Sequence, residues 1–355
     1  MTKSLYVVST APHAGKSAIC LALALALRDE GIAVGYMKPL GASLMRRDDG
    51  YVDEDAYVAW NALGITEPWE YASPVLLTDD VRSAPLAGPV EGLATKITQA
   101  LARLSEGRDV VIMEGLGRTF DGQALGLSAP EVADLTGAAV LAVIGYRPDL
   151  DLDSILFARQ VFGDRLIGIV IDGAPPRLVE TATAKLASFL ARHNLACCGV
   201  VASDPVLRSI TVRELAEELG GEVLCAEDQL DELVETYMLG AMTGDAAYLF
   251  FQRKANKAVI TGGDRSDVIM AALRTSTRCL ILTGNLRPEV QVLSAAAEQG
   301  VPVILVTDDT LTTTERVERA ISHVRLSSPK QIARLRETRP EYQRVLQMVK
   351  EELDL

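Results

Sequence analysis

Residues Ser9–Ser17, which read Ser-Thr-Ala-Pro-His-Ala-Gly-Lys-Ser, decide the fold of this chain. A short apolar run at residues 5–8 precedes them and predicts a buried strand, and the Leu- and Ala-rich residues 18–27 after them predict a helix. A strand, a tight loop ending in Gly-Lys-Ser and a helix form the arrangement that binds nucleoside triphosphates. The loop N–H groups and the helix N-terminus cradle phosphate. This stretch therefore predicts a phosphate loop (P-loop) at the ligand-binding edge of a sheet.

Two residues of this loop are expected to carry its chemistry. Lys16 reaches the terminal phosphates in such a loop, and the Ser17 hydroxyl is placed to bind Mg²⁺. The standard pattern has Gly where Thr10 stands, so the loop turns differently or is one residue longer. His13 lies within the loop without a recognisable partner, and we do not interpret it as catalytic. The alternative interpretation is a strand-to-helix turn that Ser17 caps, with Lys16 in solvent.

The composition favours a globular enzyme or sensor. The 355 residues suffice for two domains, and 48% hydrophobic residues allow a large core. A net charge of −13 argues against a general nucleic-acid-binding or anionic-membrane surface. The five cysteines lie in apolar runs without a C-x-x-C pair, which is typical of a reducing compartment, and the adjacent pair at 197–198 is a weak redox candidate. No signal peptide or membrane-spanning segment is visible, so we expect a cytoplasmic protein.

Apolar strands alternate with helices along residues 1–204, whereas residues 64–90 are predicted to form a loop. After the first strand, the strands are expected near residues 33–37, 109–113, 140–144, 166–171 and 198–201. Continuous apolar strands separated by helices predict an α/β fold, in which a P-loop parallel sheet carries helices on both faces.

A second, smaller α/β domain is predicted at residues 205–326, because the pattern changes near Asp204 and a new strand–helix series begins. The chain then ends in residues 327–355, where spaced basic residues predict a helical tail that is either solvated or docked. We therefore expect three parts: a nucleotide-binding domain, a second α/β domain and a C-terminal tail.

Charged residues stand at two predicted strand ends and one predicted helix start of the first domain. Glu114 ends a wholly apolar strand, which is where a phosphate-loop protein has a metal-binding acid. Alternatively, it caps the next turn. Asp55 is a further candidate ligand, although the acids at residues 53–55 also suit a solvated helix start. Lys38 ends the second strand and either binds a phosphate or carboxylate or is an exposed surface lysine.

In the second domain, residues 262–267 read Gly-Gly-Asp-Arg-Ser-Asp on a strand-to-helix turn. The glycines allow a close approach of the backbone to a ligand or another subunit. Arg265 suits an anion, and the alternative is an ion pair with Asp264 that fixes the turn.

These residues, in this order, resemble dethiobiotin synthetase. The resemblance rests on the loop Ser9–Ser17, on Lys38-Pro39, on Asp55-Ala56 and on the strand end at 111–115, and it covers residues 1 to about 200. That family uses ATP and Mg²⁺ to activate a carbamate as a mixed phosphate anhydride and closes a cyclic urea, and cobyrinic acid amide synthetases share its core. The resemblance implies an ATP-dependent ligase acting on a small-molecule carboxylate or carbamate, in a homodimer or higher homo-oligomer.

The resemblance also implies roles for individual residues. It makes Lys16 and Lys38 the catalytic residues, with Lys38 in contact with the substrate or the γ-phosphate. The residues implied to hold Mg²⁺ are Ser17, Asp55 and Glu114. The nucleotide-binding positions are Pro12, His13, Ala14, Gly15, Lys16, Ser17, Ala18 and Asp172. Asp172 stands where the synthetase has an Asn that reads adenine. Because a carboxylate only accepts hydrogen bonds, the choice between ATP and GTP is left open.

The second half resembles the DRTGG domain. Gly263–Asp267 stands at the signature of that domain, and Gly240–Met242 and Leu311–Thr313 also fit. A synthetase-like domain followed by a DRTGG domain is the layout of the regulatory N-terminal region of long bacterial phosphate acetyltransferases. The chain ends before any acetyltransferase domain, so we expect a stand-alone member of this phosphotransacetylase-related group. This resemblance favours an alternative function, a non-catalytic regulatory protein that senses a nucleotide or metabolite.

Overall fold

The computed structural model describes residues 2–47, 50–322 and 325–355, and the side chains of residues 197–198 and 339–341 also lie outside the described part. The redox interpretation of Cys197 and Cys198 therefore falls outside the described residues, as do Asp48, Asp49 and His323. The chain forms two compact units, Met1–Asp204 with Pro329–Leu355, and Pro205–Ser328.

Most of the first unit comes from the first 204 residues. Its strands and helices, in chain order, are β1 (Lys3–Val8), α1 (Lys16–Asp29), β2 (Val34–Met37), β3 (Leu40–Gly41), β4 (Leu44–Arg47), β5 (Gly50–Asp53), α2 (Glu54–Leu63), α3 (Trp69–Ala72), β6 (Val75–Leu76), α4 (Asp79–Ser83), α5 (Leu93–Ser105), β7 (Val110–Glu114), α6 (Ala129–Thr136), β8 (Ala139–Gly145), α7 (Leu152–Phe162), β9 (Leu166–Ala174), α8 (Val179–Arg192) and β10 (Cys197–Ala202).

Six of these strands form one parallel sheet in the spatial order β10-β9-β8-β1-β7-β2. Its central strands β1, β7 and β8 are apolar and buried, as expected for strands covered by helices on both faces. All six strands end at the same edge, which is where open α/β sheets bind ligands. The predicted α/β class with a P-loop parallel sheet is confirmed.

The second unit is a smaller α/β domain with its own sheet. Its elements, in chain order, are β11 (Ile210–Thr211), α9 (Val212–Leu219), β12 (Glu222–Cys225), β13 (Leu233–Val234), β14 (Thr236–Leu239), α10 (Gly244–Phe251), β15 (Lys257–Gly262), α11 (Ser266–Leu273), β16 (Thr277–Thr283), α12 (Val290–Glu298), β17 (Val303–Leu305) and α13 (Thr310–Ser322). The sheet has the order β12-β17-β16-β15-β14, in which β12 is antiparallel and the other four strands are parallel.

The chain then returns to the first unit as two helices, α14 (Pro329–Glu337) and α15 (Arg339–Leu353). Helix α1 is apolar around its whole circumference, and a helix of this kind must be covered on all sides. Both helices pack on α1, and their Leu335 and Leu346 line the same small space as Ala22 and Leu25 of α1. The C-terminal helices therefore complete the cover of the helix that follows the phosphate loop.

The structure differs from the sequence-based expectation at several short elements. Residues 64–90 do not form a continuous loop, because α3, β6 and α4 lie within them. The acidic stretch before α2 contains the hairpin of β4 and β5, and α6, α10, β12 and β14 were also missed. These elements are two to eight residues long and lack a long apolar period, so their packing and pairing partners rather than their own sequence define them. In the described part of the chain, no helix is long and apolar enough to cross a membrane.

Candidate functional site

The register of the large sheet brings the predicted site residues to one edge. Val7 of β1 lies beside Glu114 of β7, and Met37 of β2 lies beside Met113 of the same strand. Since all three strands run in one direction, the loop after β1, Glu114 and Lys38 meet at the carboxyl ends of adjacent strands. The topology thus brings together site residues from distant parts of the chain. From the sequence, these residues could only be placed at the ends of separate strands.

The loop after β1 is held by its own lysine. Lys16 is buried, and its Nζ donates a hydrogen bond to Ser9 Oγ at 2.8 Å and approaches the Gly117 carbonyl at 3.5 Å. Ser9 Oγ in turn donates to the Gly117 carbonyl at 2.9 Å. Burial lowers the pKa of Lys16, and the carboxylate of Glu114 acts against that shift. The alternative of a solvated Lys16 is therefore wrong.

The rest of the loop combines exposed and buried positions. Pro12 and His13 are exposed, Ala14 is buried, and Ala18 is half-buried in the first turn of α1. His13 adopts a φ of 54°, which is the left-handed conformation that glycine usually takes. Because this loop is poor in glycine, a residue other than glycine adopts it here. These residues surround the N-terminus of α1, where backbone N–H groups point outward.

Thr10 has a free hydroxyl within the loop. Its Oγ1 is buried and has no hydrogen-bond partner among the residues that the structure describes. A buried unpaired hydroxyl is unfavourable by about 1–3 kcal/mol, so such atoms in native proteins call for a missing partner. A phosphate oxygen would supply an acceptor here.

Glu114 joins two elements at the sheet edge. One carboxylate oxygen accepts a hydrogen bond from Ser17 Oγ at 2.7 Å, and the other accepts one from the Tyr36 hydroxyl at 2.5 Å. Burial raises the pKa of Glu114, and the nearby Lys38 ammonium counteracts this effect. The Ser17–Glu114 contact brings together two of the three residues predicted to bind Mg²⁺.

Lys38 lies in a buried group of charges. Its Nζ is 3.1 Å from Asp53 Oδ1 and also forms an ion pair with Asp55. Burial by itself would lower the pKa of Lys38, but the carboxylates of Asp55, Glu114 and Asp53 outweigh it and hold that pKa above its usual value. Lys38 is buried, so the alternative of an exposed surface lysine is wrong.

Asp53 explains how this group is built. It is fully buried and caps α2, since its Oδ1 accepts hydrogen bonds from the N–H groups of Asp55 and Ala56 at 3.1 and 3.2 Å. Its Oδ2 accepts from the Ser43 N–H at 3.1 Å. The acids at 53–55 thus begin a helix, as one interpretation predicted, but the start is buried against Lys38 rather than solvated.

Asp172 lies against the phosphate loop. Gly15 has a φ of +91°, and a Cβ added to it would lie 2.2 Å from Asp172 Oδ2. Residue 15 must therefore be glycine both for its conformation and for the close approach of this carboxylate. The carbonyl of Asp172 accepts a hydrogen bond from the Tyr146 N–H at 2.7 Å, which ties the ends of β8 and β9 together.

The chemistry of the edge fits a divalent cation bound together with phosphate. Three carboxylates, those of Asp53, Asp55 and Glu114, lie with the two ammonium groups of Lys16 and Lys38 in one largely buried group. In the described part of the chain, no cluster of three or more His, Cys, Asp or Glu residues forms a metal cage. Mg²⁺ suits such a site, because it takes one or two carboxylates and completes its shell with water and phosphate oxygens.

Two residues of this edge escaped the sequence analysis. Tyr36 was not singled out, although it stands two positions before Lys38 on β2 and so shares its side of the strand. Asp53 was seen only as part of an acidic run. The i, i+2 spacing was the available signal for Tyr36, whereas the role of Asp53 depends on packing between β5, α2 and β2.

The backbone of the Gly-Gly turn in the second unit lies close to another turn of the same unit. A Cβ on Gly263 would lie 1.5 Å from the Leu286 carbonyl oxygen, so the turn after β15 packs directly on the turn after β16. Arg265 donates to the Met242 carbonyl at 2.6 Å and pairs with Asp267 at 3.3 Å. The partner that fixes the turn is thus Asp267, and the expected pair with Asp264 is corrected.

Comparisons with known proteins find two domain models in this chain. A family model described as an AAA domain matches residues 3–236, and one described as a DRTGG domain matches residues 214–320. Phosphate acetyltransferase of Deinococcus radiodurans is 27% identical over 352 residues, which cover 94% of this chain and 49% of that protein. ATP-dependent dethiobiotin synthetase BioD 2 of Escherichia coli (strain K12) is 28% identical over 186 residues, which cover 51% of this chain and 79% of that protein.

The phosphate acetyltransferase of Synechocystis sp. is 22% identical over 334 residues, which cover 90% of this chain and 47% of that protein. The chain therefore spans about half the length of the phosphate acetyltransferases that it matches. The resemblances to dethiobiotin synthetase and to the DRTGG domain are confirmed. Since the first model covers more than half of the sequence, the chain belongs to the AAA domain family and carries a DRTGG domain in its second half.

Proposed function

We propose that the first unit binds Mg-ATP at the phosphate loop and transfers its terminal phosphoryl group to a small-molecule carboxylate or carbamate. One observation carries the proposal: Lys16, Ser17, Glu114 and Lys38 meet at a single buried sheet edge. Keeping two lysines and several carboxylates buried together is costly for a fold. A function in phosphate binding accounts for that cost.

Binding of the triphosphate begins with the loop. The Lys16 ammonium, now on Ser9 Oγ, is the group that would neutralise the terminal phosphates, and the Thr10 hydroxyl would donate to a phosphate oxygen. The N-terminus of α1 adds its N–H groups and its positive dipole end. Gly15 adopts the left-handed conformation at the end of the loop, with the Asp172 carboxylate packed directly against it.

Ser17, Glu114 and Asp55 are the residues that would hold Mg²⁺. When bound, the ion would neutralise the phosphates and the charge that develops on them. Tyr36 keeps one oxygen of Glu114 occupied, so the carboxylate presents its other oxygen toward Ser17. Asp55 also forms an ion pair with Lys38, so the second lysine lies next to the residues that would bind Mg²⁺.

Lys38 is proposed to act on the acceptor. Since its carboxylate neighbours hold its pKa above the usual value, it stays protonated and cannot serve as a general base. It would orient and partly neutralise the attacking carboxylate. In the transfer, an acceptor oxygen forms a bond to the γ-phosphorus, the bond to the β–γ bridging oxygen breaks, and ADP leaves with the electron pair.

ADP release and hydroxylamine trapping test this function in the full chain. Mg-ATP is incubated alone, with bicarbonate and diaminopelargonic acid, and with a panel of small carboxylates. Hydroxylamine captures an acyl phosphate as a hydroxamate and a carbamoyl phosphate as an N-hydroxyurea, with release of phosphate in both cases. Acceptor-dependent ADP release together with the matching trapped product would support phosphoryl transfer. ADP release that no acceptor changes, without a trapped product, would contradict it.

The relatives favour one further candidate, a regulatory protein that binds the nucleotide without turnover. The Deinococcus phosphate acetyltransferase matches 94% of this chain across both units, and the DRTGG model matches residues 214–320. Saturable binding of Mg-ATP with no ADP release under every acceptor condition would support this candidate over the enzyme.

A further inference from the structure

A second cavity lies in the first unit, apart from the phosphate loop. It has a volume of about 470 Å³ and is bounded by the hairpin of β4 and β5, by α3 and β6, and by the start of α5. No residue of Ser9–Ser17 belongs to its wall. Cavities of this size accept small metabolites.

Arg47 gives the cavity its chemical character. Its guanidinium carbon lies 4.9 Å from the centre of the Tyr57 ring and 5.4 Å from the centre of the Trp69 ring. Aromatic rings hold a guanidinium in place by cation–π attraction but do not use its in-plane donors. The side chain is therefore positioned with its hydrogen-bonding capacity left over.

The Nε of Arg47 is buried, and within the described residues it has no hydrogen-bond partner. By contrast, another arginine of the same unit, Arg108, pairs with Glu67. Since a buried charged donor without an acceptor is unfavourable, the position calls for an acceptor from outside the chain. An anion placed in the cavity beside Arg47 would provide it.

The rest of the wall defines the body of the ligand. Trp69, Val75 and Leu76 supply aromatic and apolar surface, and the exposed Lys96 adds a second cation at the rim. Glu70 also lines the cavity, and its charge disfavours a polyanion such as a nucleotide. The hydroxyl of Ser73 is already donated to the Lys38 carbonyl at 2.8 Å, which leaves the arginine as the main anchor.

We propose that this cavity binds a small organic monocarboxylate, whose carboxylate accepts a hydrogen bond from Arg47 and whose apolar part packs on Trp69. The proposal does not depend on the function of the phosphate loop. It assigns to the first unit a second ligand site, separate from the phosphate loop.

The test is a calorimetric titration of the full chain with 2-naphthoate, an aromatic monocarboxylate. We expect saturable binding of one molecule, and binding of the uncharged 2-naphthamide at least about tenfold weaker, because a hydrogen bond to a charged group is lost. Arg47→Gln should weaken 2-naphthoate binding by about tenfold or more. Arg46→Gln is the matched control, since Arg46 is the exposed neighbour on the same strand, and should stay within about twofold of the wild type.

Two more variants keep the test decisive. Lys16→Ala should retain 2-naphthoate binding, which separates this site from the phosphate loop, and in that background 1-naphthyl phosphate should bind no tighter than 2-naphthoate. Arg47→Lys retains a charge without the planar donors and should bind between the wild type and Arg47→Gln, which guards against a folding defect in the latter. The proposal is overturned by non-saturable binding, by equal affinities in the Arg46 and Arg47 variants, by equal binding of the amide, or by tighter Arg47-dependent binding of the phosphate ester.

Discussion

Lys38 Nζ lies 3.1 Å from Asp53 Oδ1, and both side chains are buried, so the second strand and the second helix are joined by an ion pair inside the first unit. The same aspartate caps α2. One residue thus carries a structural task and holds a lysine at the sheet edge, and the two roles can be separated by substitution.

Asp53→Asn should lower the free energy of unfolding by about 2 kcal/mol, because Lys38 loses one of its two carboxylate partners while the amide still caps the helix. Asp53→Ala should cost about 1 kcal/mol more, since the cap is lost as well. Urea denaturation measures both. Asp134→Asn is the matched control, because Asp134 pairs with Arg165 on the surface, and it should change stability by less than about 1 kcal/mol. Equal effects of the Asn substitutions at 53 and 134 would show that the buried pair adds nothing.

Glu114→Gln should remove the dependence of nucleotide binding on Mg²⁺. We expect the wild type to bind ATP more tightly with Mg²⁺ than with EDTA, and the variant to bind equally under both conditions, because the buried carboxylate beside Ser17 is gone. Calorimetry with and without the metal measures this. Glu106→Gln, the same substitution at an exposed residue paired with Arg103, should behave as the wild type. A Glu114→Gln chain that keeps its Mg²⁺ dependence would remove Glu114 from the metal site.

Asp172→Asn should strengthen nucleotide binding. The carboxylate lies against Gly15 of the phosphate loop, so it would repel the like charge of a bound phosphate, and such repulsion between nearby charges amounts to roughly 1 kcal/mol or more. We therefore expect Mg-ATP affinity to rise by about threefold or more. Parallel titrations with Mg-GTP examine whether this position also influences base choice. Weaker binding of both nucleotides would mean that the negative charge organises the loop.

The stability of the second unit should depend on pH through Lys257. Burial lowers the pKa of this lysine to about 8, and its Nζ donates to Thr275 Oγ1 and to the Ser276 carbonyl, each at 2.9 Å. Between pH 8 and 10.5, the usual pKa of a lysine, the unfolded chain binds more protons at this site than the folded one. The contribution of Lys257 to stability therefore becomes more favourable as pH rises through that window.

Urea denaturation of the wild type and Lys257→Met at several pH values isolates this effect, because other titrating groups cancel in the difference. We expect the stability of the wild type relative to the variant to increase from pH 8 to 10.5. The exposed Lys254, changed to Met, should give a flat difference. A difference for Lys257→Met that is flat or falls with pH would contradict a lowered pKa.

The fold class was predictable because its signals are local. The loop Ser9–Ser17 lies between an apolar strand and an apolar helix, and most later strands of the sheet are apolar runs that alternate with helices. These features do not depend on distant residues. The hairpin of β4 and β5 carries no such signal, since Leu44–Arg47 combines two apolar residues with two arginines, and its strands are defined by their pairing.

The candidate site was predictable in part. Glu114 and Lys38 end apolar strands, so their position at the ligand edge follows from the topology of parallel sheets. The contact of Tyr36 with Glu114 and the cap formed by Asp53 depend on how β2, β5 and α2 pack. The position of Asp172 against Gly15 depends on the end of β9 reaching the first loop, which no local pattern encodes.

The central claim, that Lys16 and its loop bind Mg-ATP, is tested most directly by calorimetric titration of Mg-ATP into the full chain and into Lys16→Ala. We expect saturable binding of one nucleotide by the wild type and at least about hundredfold weaker binding by the variant, because the buried ammonium that meets the phosphates is lost. Matching thermal unfolding of the two chains would show that the fold is intact. Unchanged affinity in Lys16→Ala, or no binding of Mg-ATP by the wild type, would contradict the account.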